Sequence, residues 1–265
     1  MIIMESIEKL TREKINKLKL VCFDVDGVTV KKGTNIKEIE GKESTTLTVK
    51  TANLSDIMLN KVIELKKYYY ICIASGRSLL YLTKIYYDLL WEKSALIAEN
   101  GIFTLLEGKV IQQEKFDNQT LKTMRDMFVE LKAMGRKNKN FRAFEPKQFL
   151  ITVHAWKEIP DVYKIVRKYD PEDEFYCLWN GEAYDIAPKR LNKGVGLQKL
   201  AQYLGWKLDN TLAIGNGPND RTMVSMAGIG VTTDPTDLKT GDYFTTDSLH
   251  LGGLQVINKL LNLNK

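Results

Sequence analysis

Histidine and cysteine are scarce in these 265 residues, with two of the first and three of the second. Cys22, Cys72 and Cys177 are odd in number and show no CxxC spacing, which excludes a zinc knuckle and a disulfide framework and leaves reduced thiols, two of them inside apolar runs. His154 and His250 are too few and too far apart in sequence for a histidine metal site or a Ser-His hydrolase. No apolar run approaches the roughly 18 residues of a membrane span. The opening twenty residues mix acids and bases where a secretory signal needs an unbroken apolar stretch, so a cytoplasmic location without a membrane partner is expected. Internal repeats and low-complexity tracts are also missing, which argues against solenoids and disordered arrays.

What is present is ordinary globular material, 44% hydrophobic and 27% charged. Lys and Arg exceed Asp and Glu by 39 to 33, a balance of +6 that favours anionic ligands such as phosphates. The lysines are scattered, as at Lys31, Lys32, Lys66, Lys67, Lys137 and Lys139, and read as solvated surface rather than as a nucleic-acid footprint. At this length the chain has room for one large domain or for a core with a smaller insertion.

Short runs rich in Val, Ile and Leu (18–23, 70–74, 95–98, 211–214 and 229–231) read as buried strands. Stretches with helical spacing lie among them, at 55–67, 78–90, 194–204 and 220–227. The alternation predicts a doubly wound parallel sheet of the Rossmann-like kind. The middle of the chain reads differently: a hairpin around Glu107-Gly108, a helix at 119–134, a strand near 149–155, a helix near 160–169, and two short strands split by Asn180-Gly181. Residues 104–188 are therefore assigned to an inserted α/β cap, with 1–103 and 189–265 forming the core. The stretch 30–51 reads as a β-hairpin flap following the first strand.

Ligands of open α/β sheets bind beyond the carboxyl ends of the strands. There the first apolar run ends in Asp24-Val25-Asp26-Gly27, and strand alternation puts both carboxylates on one side of the chain. Two carboxylates this close repel unless a cation lies between them or one holds a proton. A hard cation such as Mg²⁺ suits oxygen ligands and a phosphate, and a carboxylate can itself attack phosphorus. Ser75-Gly76-Arg77 follows the second run at a helix start, where backbone N–H groups offer an anion site. Asn192-Lys193-Gly194 opens another helix, and Gly215-Asn216-Gly217-Pro218-Asn219-Asp220 follows the fourth run ahead of Ala227-Gly228-Ile229-Gly230-Val231.

These four segments, in this order and with Ala98-Glu99-Asn100-Gly101 between them, resemble the haloacid dehalogenase superfamily, and Ser-Gly-Arg resembles its Cof-like, type IIB capped sugar-phosphate phosphatase branch. The resemblance implies a Mg²⁺-dependent phosphatase for a small phosphate ester, through an aspartyl-phosphate on Asp24. Asp26 would then be the general acid and base and lend its backbone carbonyl to the metal. Ser75 and Lys193 join these two as catalytic residues, and Gly27, Ser75, Gly76 and Lys193 would bind the phosphate. The metal would fall to Asp24, Asp26, Asn216 and Asp220, with Arg77, Asn100 and Asn219 in support. One residue departs from the pattern: neutral Asn216 stands where the family carries an acid, which removes a negative charge from the cation site.

Within the insertion, polar and aromatic candidates for substrate contact are Arg142, Lys147, His154, Trp179 and Asn180, with Gln148, Trp156 and Glu182 beside them. Arg142 and Lys147 could hold a second anionic group. Two alternatives stay open, a phosphosugar mutase on the same scaffold and, because of Asn216, a catalytically weak phosphosugar-binding protein. Oligomeric state and substrate identity are not legible.

Overall fold

The computed structural model describes residues 4–265, and its elements follow from local chemistry. The strands in chain order are β1 (Glu5–Ser6), β2 (Leu20–Phe23), β3 (Thr34–Glu40), β4 (Thr45–Thr51), β5 (Tyr70–Ala74), β6 (Ser94–Ala98), β7 (Phe103–Leu106) and β8 (Lys109–Gln112). They continue with β9 (Phe141–Glu145), β10 (Ile151–Ala155), β11 (Phe175–Trp179), β12 (Ala183–Pro188), β13 (Thr211–Gly215), β14 (Ile229–Thr232) and β15 (Tyr243–Phe244). The helices are α1 (Asp56–Leu65), α2 (Leu79–Tyr86), α3 (Asn118–Gly135), α4 (Pro160–Tyr169), α5 (Lys193–Tyr203), α6 (Arg221–Met226) and α7 (Leu249–Asn264).

Side-chain caps set several helix starts: Ser55 accepts from the Met58 N–H, Asp117 from Thr120 and Asn192 from Val195. Pro160, which has no N–H to lose, opens α4. None of the helices is long and apolar enough to cross a membrane, among the described residues.

The chain divides into two compact units. The larger one contains the described residues up to Lys32, then 52–113 and 192–265. Its sheet runs β1-β15-β14-β13-β2-β5-β6-β7-β8, parallel from β1 to β6 and antiparallel at β7 and β8. This is the doubly wound parallel-dominated sheet expected of the core. Its central strands are buried along their whole length, which is why they read as continuous apolar runs rather than alternating ones. One face packs Leu20, Cys22, Ala74 and Ile97 against Leu197 and Leu200 of α5 and Met223 of α6. Burying each large side chain of this kind contributes about 1.5–3 kcal/mol. Cys22 and Cys72 are buried free thiols in that layer.

The order of strands matters most for the site. The chain builds β5 and β6 on one side of β2 and returns to lay β13 and β14 on the other. β2 is therefore where the winding reverses, and the crevice beyond its carboxyl end is the natural ligand position.

The second unit comprises 33–51 and 114–191. Its antiparallel sheet β11-β12-β10-β9 buries Val153, Tyr184 and Ile186 against Met127 and Leu131 of α3 and Val162 and Val166 of α4. The β3–β4 hairpin also belongs here, held by Lys132 and Arg136 on Glu40 and by the Phe144 N–H on Glu38.

Two expected boundaries shift. The Phe103–Ile111 hairpin, assigned to the insertion, instead extends the large sheet, because β7 pairs antiparallel with β6 and carries β8 at the edge. The hairpin after the first strand, assigned to the core, groups with the smaller unit through those ion pairs and hydrogen bonds. Strands β1, β9 and β15 and helix α7 had no counterpart among the predicted elements.

Candidate active site

All the core residues singled out from sequence lie in the larger unit, on the loops that follow β2, β5, β6 and β13 and at the start of α5. Asp24 directly follows β2 and is 5% exposed. Its N–H donates to the Ile214 carbonyl at 2.9 Å, so its backbone continues the β2–β13 ladder. Lys193, fully buried at the first turn of α5, donates from Nζ to Asp24 Oδ1 and to Asp220 Oδ1, both at 2.6 Å. Asp220 Oδ2 accepts the backbone N–H groups of Asn216 and Gly217 at 2.9 and 3.1 Å. Both oxygens of Asp220 are thus engaged in holding Lys193 and the loop after β13.

Asn216, also buried, donates from Nδ2 to the Asp26 backbone carbonyl at 2.9 Å. Asn219 sits half-buried between it and Asp220. Gly27 makes the approach possible. With φ at +82° and Asn216 Nδ2 only 2.2 Å from where a Cβ would stand, any side chain there would be strained and would displace the Asn216 amide.

Arg77 grips the Asp26 side chain with both prongs, Nε to Oδ2 at 2.8 Å and Nη2 to Oδ1 at 2.5 Å. Its backbone is tied at both ends: its N–H donates to Ser75 Oγ, and its carbonyl accepts from Glu99. Its guanidinium lies over the Tyr81 ring, 4.3 Å from the centroid. Ser75 is buried at the end of β5, half-buried Gly76 follows it, and the Ser75 carbonyl accepts from the Asn100 N–H. Asn100 adopts the left-handed conformation (φ 52°, ψ 36°), which Asn tolerates better than most residues. Beside it, the absent Cβ of Gly101 (φ +101°) would lie 2.2 Å from the Asn192 carbonyl. That close contact seats the start of α5, and with it Lys193, against the end of β6.

The electrostatics are uneven. Three carboxylates, Asp24, Asp26 and Asp220, face two cations, Lys193 and Arg77. Burial and then the neighbouring Asp220 push the Asp24 carboxyl up to about 7 against the pull of Lys193. Burial alone would depress Lys193, but Asp220 and Asp24 outweigh it and hold the ammonium above the usual lysine range. A buried carboxylate short of positive charge is the condition a cation relieves. Among the described residues no three His, Cys, Asp or Glu side chains are grouped as ligands. The oxygen donors on these two loops are the Asp24 carboxylate, the Asp26 backbone carbonyl and the side-chain amide of Asn216, whose nitrogen faces that carbonyl and whose oxygen would reach a cation only after the amide turns over. This all-oxygen set suits a hard cation.

The candidates of the insertion do not gather with one another in one place. Trp179 packs against Tyr184 in the hydrophobic core of the smaller unit, and Asn180 Oδ1 closes the β11–β12 turn on the N–H groups of Glu182 and Ala183. Both have structural occupations within the smaller unit. Lys147 and His154 do come together: Lys147 binds Thr152 at 2.7 Å and Glu145 at 3.3 Å, and His154 Nε2 meets Glu145 at 3.0 Å. Arg142 is elsewhere, stacked on Trp156 at 4.3 Å and donating to Asn35 at 3.0 Å. Sequence reasoning missed Glu145, Thr152 and Asp185, which complete the Lys147 cluster; the signal for Thr152 and Asp185 was the polar phase of alternating strands, whereas Glu145 in the mixed strand β9 had none. It also missed Tyr81, because Arg77 lies ahead of the helix at 78–90 and no helical spacing links the two residues.

A family model described as haloacid dehalogenase-like hydrolase matches residues 21–173 and 132–235. A phosphoglycolate phosphatase of Methanopyrus kandleri is 28% identical over 162 residues, 60% of this chain and 67% of that protein. Phosphoglycolate phosphatase 1 of Saccharolobus solfataricus is 24% identical over 92% of this chain and 96% of its own length. Among solved structures, the C-terminal domain of Candida albicans trehalose-6-phosphate phosphatase superimposes with a TM-score of 0.71 at 18% identity, covering 98% of this chain and 99% of that one.

Proposed function

Because this chain belongs to the haloacid dehalogenase-like hydrolase family, we propose that it is a phosphoric monoester hydrolase that cleaves a small phosphorylated metabolite, a sugar phosphate or a phosphorylated hydroxy acid, through a covalent intermediate on Asp24. The observation that carries the reading is the convergence of Asp24, Lys193 and Asp220 in two 2.6 Å contacts at the strand where the sheet reverses its winding.

Asp24 is the nucleophile. Lys193 on Oδ1 leaves the second carboxylate oxygen to attack phosphorus in line with the departing ester oxygen. Asp26 protonates that oxygen and then takes a proton from the water that releases the phosphate. Lys193, the Ser75 hydroxyl and the N–H groups around Gly27 and Gly76 neutralise the phosphoryl oxygens. Asp24, the Asp26 carbonyl and Asn216 would hold Mg²⁺, which would supply the remaining positive charge. Asp220 and Asn219 keep Lys193 and the loop in place, and Asn100 supports Ser75.

Phosphate release from a metabolite panel with added Mg²⁺ tests the reading. The wild type should turn over at least one ester, and Asp24→Asn should lose at least about 10³-fold in kcat with its melting temperature maintained. Substantial activity in Asp24→Asn would sink the nucleophile assignment. One observation favours a second reading, a phosphosugar-binding protein of little activity: the Asn216 amide already satisfies the Asp26 carbonyl with a hydrogen bond. Saturable binding of a phosphosugar without turnover across the panel would establish it.

A further inference from the structure

Ester cleavage through Asp24 needs Asp26 to exchange a proton with the ester oxygen, yet Asp26 is the most exposed acid of the site, with 34% of its side chain open to solvent. An exposed aspartate samples several rotamers, and a carboxyl that wanders delivers a proton poorly. Asp26 is restrained at two levels. Its backbone sits in the tight turn where the N–H groups of Val28, Thr29 and Val30 all converge on the Val25 carbonyl, and its own carbonyl accepts from Asn216. Those bonds fix the main chain only. The side chain is fixed by the Arg77 fork, which engages both oxygens and so sets the plane as well as the direction of the carboxyl group.

Arg77 is well built for that task. Its side chain is only 7% exposed, the Tyr81 ring backs the guanidinium, and its main chain is pinned to Ser75 and Glu99. A planar, pre-organised fork loses little freedom on holding a carboxylate, whereas a lysine ammonium there would be a point charge without directional control.

Resting on the phosphatase reading, we propose that Arg77 is a positioning residue that aims Asp26 at the ester oxygen, and that the Arg77–Tyr81 pair therefore sets how well the enzyme handles poor leaving groups. In the first half-reaction the Asp24–phosphorus bond forms, the phosphorus–ester oxygen bond breaks, and the electron pair left on that oxygen takes the Asp26 proton. In the second, water attacks phosphorus, returns a proton to Asp26, and frees the Asp24 carboxylate. A leaving group acidic enough to depart as an anion needs no proton in the first half, so misaiming Asp26 leaves that half intact. An alcohol or simple phenol needs it.

The test compares 4-nitrophenyl phosphate with phenyl phosphate, in the full chain with Mg²⁺, for wild type, Arg77→Met, Arg77→Lys and Tyr81→Leu. Because the first half-reaction is the one that differs, single-turnover release of the phenol is the quantity followed. Arg77→Met should lose about tenfold more rate on phenyl phosphate than on the nitrophenyl ester. Arg77→Lys should fall between it and wild type, and Tyr81→Leu should shift the ratio the same way by a smaller factor. A residue that merely supports the fold would slow both esters alike, and an equal fall in all three variants overturns the proposal while leaving the phosphatase reading standing. If Arg77→Met does not fold, the Tyr81→Leu ratio decides alone. Wild-type silence on both esters and on the metabolite panel would instead overturn the reading itself and this inference with it.

Discussion

At the scale of single residues, Asn216 is the position where chemistry and sequence pattern diverge. A carboxylate there would add a negative charge beside Asp24 and could not donate to the Asp26 carbonyl as the amide does. Asn216→Asp should consequently bind Mg²⁺ about tenfold more tightly by calorimetry, a gain of about 1.4 kcal/mol. The same variant should melt at a lower temperature in chelator, because the lost hydrogen bond and the new repulsion then have no cation to offset them. Unchanged Mg²⁺ affinity would remove Asn216 from the ligand set.

Lys193 illustrates the opposite case. Among so many lysines in the sequence it had no distinguishing feature except its place in a motif, yet it is fully buried between two carboxylates. Removing one member of a buried, hydrogen-bonded charge group leaves the others uncompensated, at a cost of roughly 3–5 kcal/mol. Lys193→Met should therefore reduce both the free energy of unfolding in urea and phosphate release. A stable variant that keeps its activity would contradict the role given to this lysine.

At the scale of elements, the site depends on how closely the end of β6 meets the start of α5. Gly101→Ala introduces a Cβ where the Asn192 carbonyl stands at 2.2 Å and demands a positive φ. The variant should lose about 2 kcal/mol or more of stability, and should lose kcat as well because α5 carries Lys193. Equilibrium unfolding and steady-state kinetics on the same preparation check both. Gly108→Ala also sits at positive φ, but with nothing within 4 Å, and is the control expected to affect stability modestly and catalysis not at all.

The elements also explain which predictions from sequence succeeded. Pro160–Tyr169 was bounded correctly because Pro marks its first turn. The hairpin at Glu107-Gly108 was located correctly but given to the wrong unit, since turn chemistry specifies two strands and says nothing of which sheet receives them. Strand β9 was missed because Phe141–Glu145 is half-buried and mixed in polarity, with neither helical nor strict alternating period.

At the scale of the whole molecule, the burial of Asp24 beside Asp220 links global stability to pH. The folded carboxyl titrates near 7 and the unfolded one near its ordinary 3.8, so between these values the folded state holds a proton that the unfolded chain has lost. Stability of the cation-free protein should fall as pH rises from about 4 to 7, by at most about 1.4 kcal/mol per pH unit for this one group. Saturating Mg²⁺ should flatten that slope by favouring the ionised form. Thermal melts across this range, with chelator and with Mg²⁺, provide the comparison; identical slopes would mean that no cation answers to Asp24.

The amino-acid sequence by itself determined the winding of the large sheet, through long apolar runs separated by helical spacing, and it named the polar residues at the strand ends, because those motifs are local and chemically distinctive. Tertiary structure alone decided what those residues touch: that Asp220 is committed to Lys193 and the loop, that Arg77 forks Asp26, that Trp179 and Asn180 serve their own unit, and which sheet owns the Phe103–Gln112 hairpin. The reason is physical. Hydrophobic period and turn chemistry act between neighbours along the chain, whereas an ion pair between residues 24 and 193 depends on two strands and a helix being packed before any charge can find its partner.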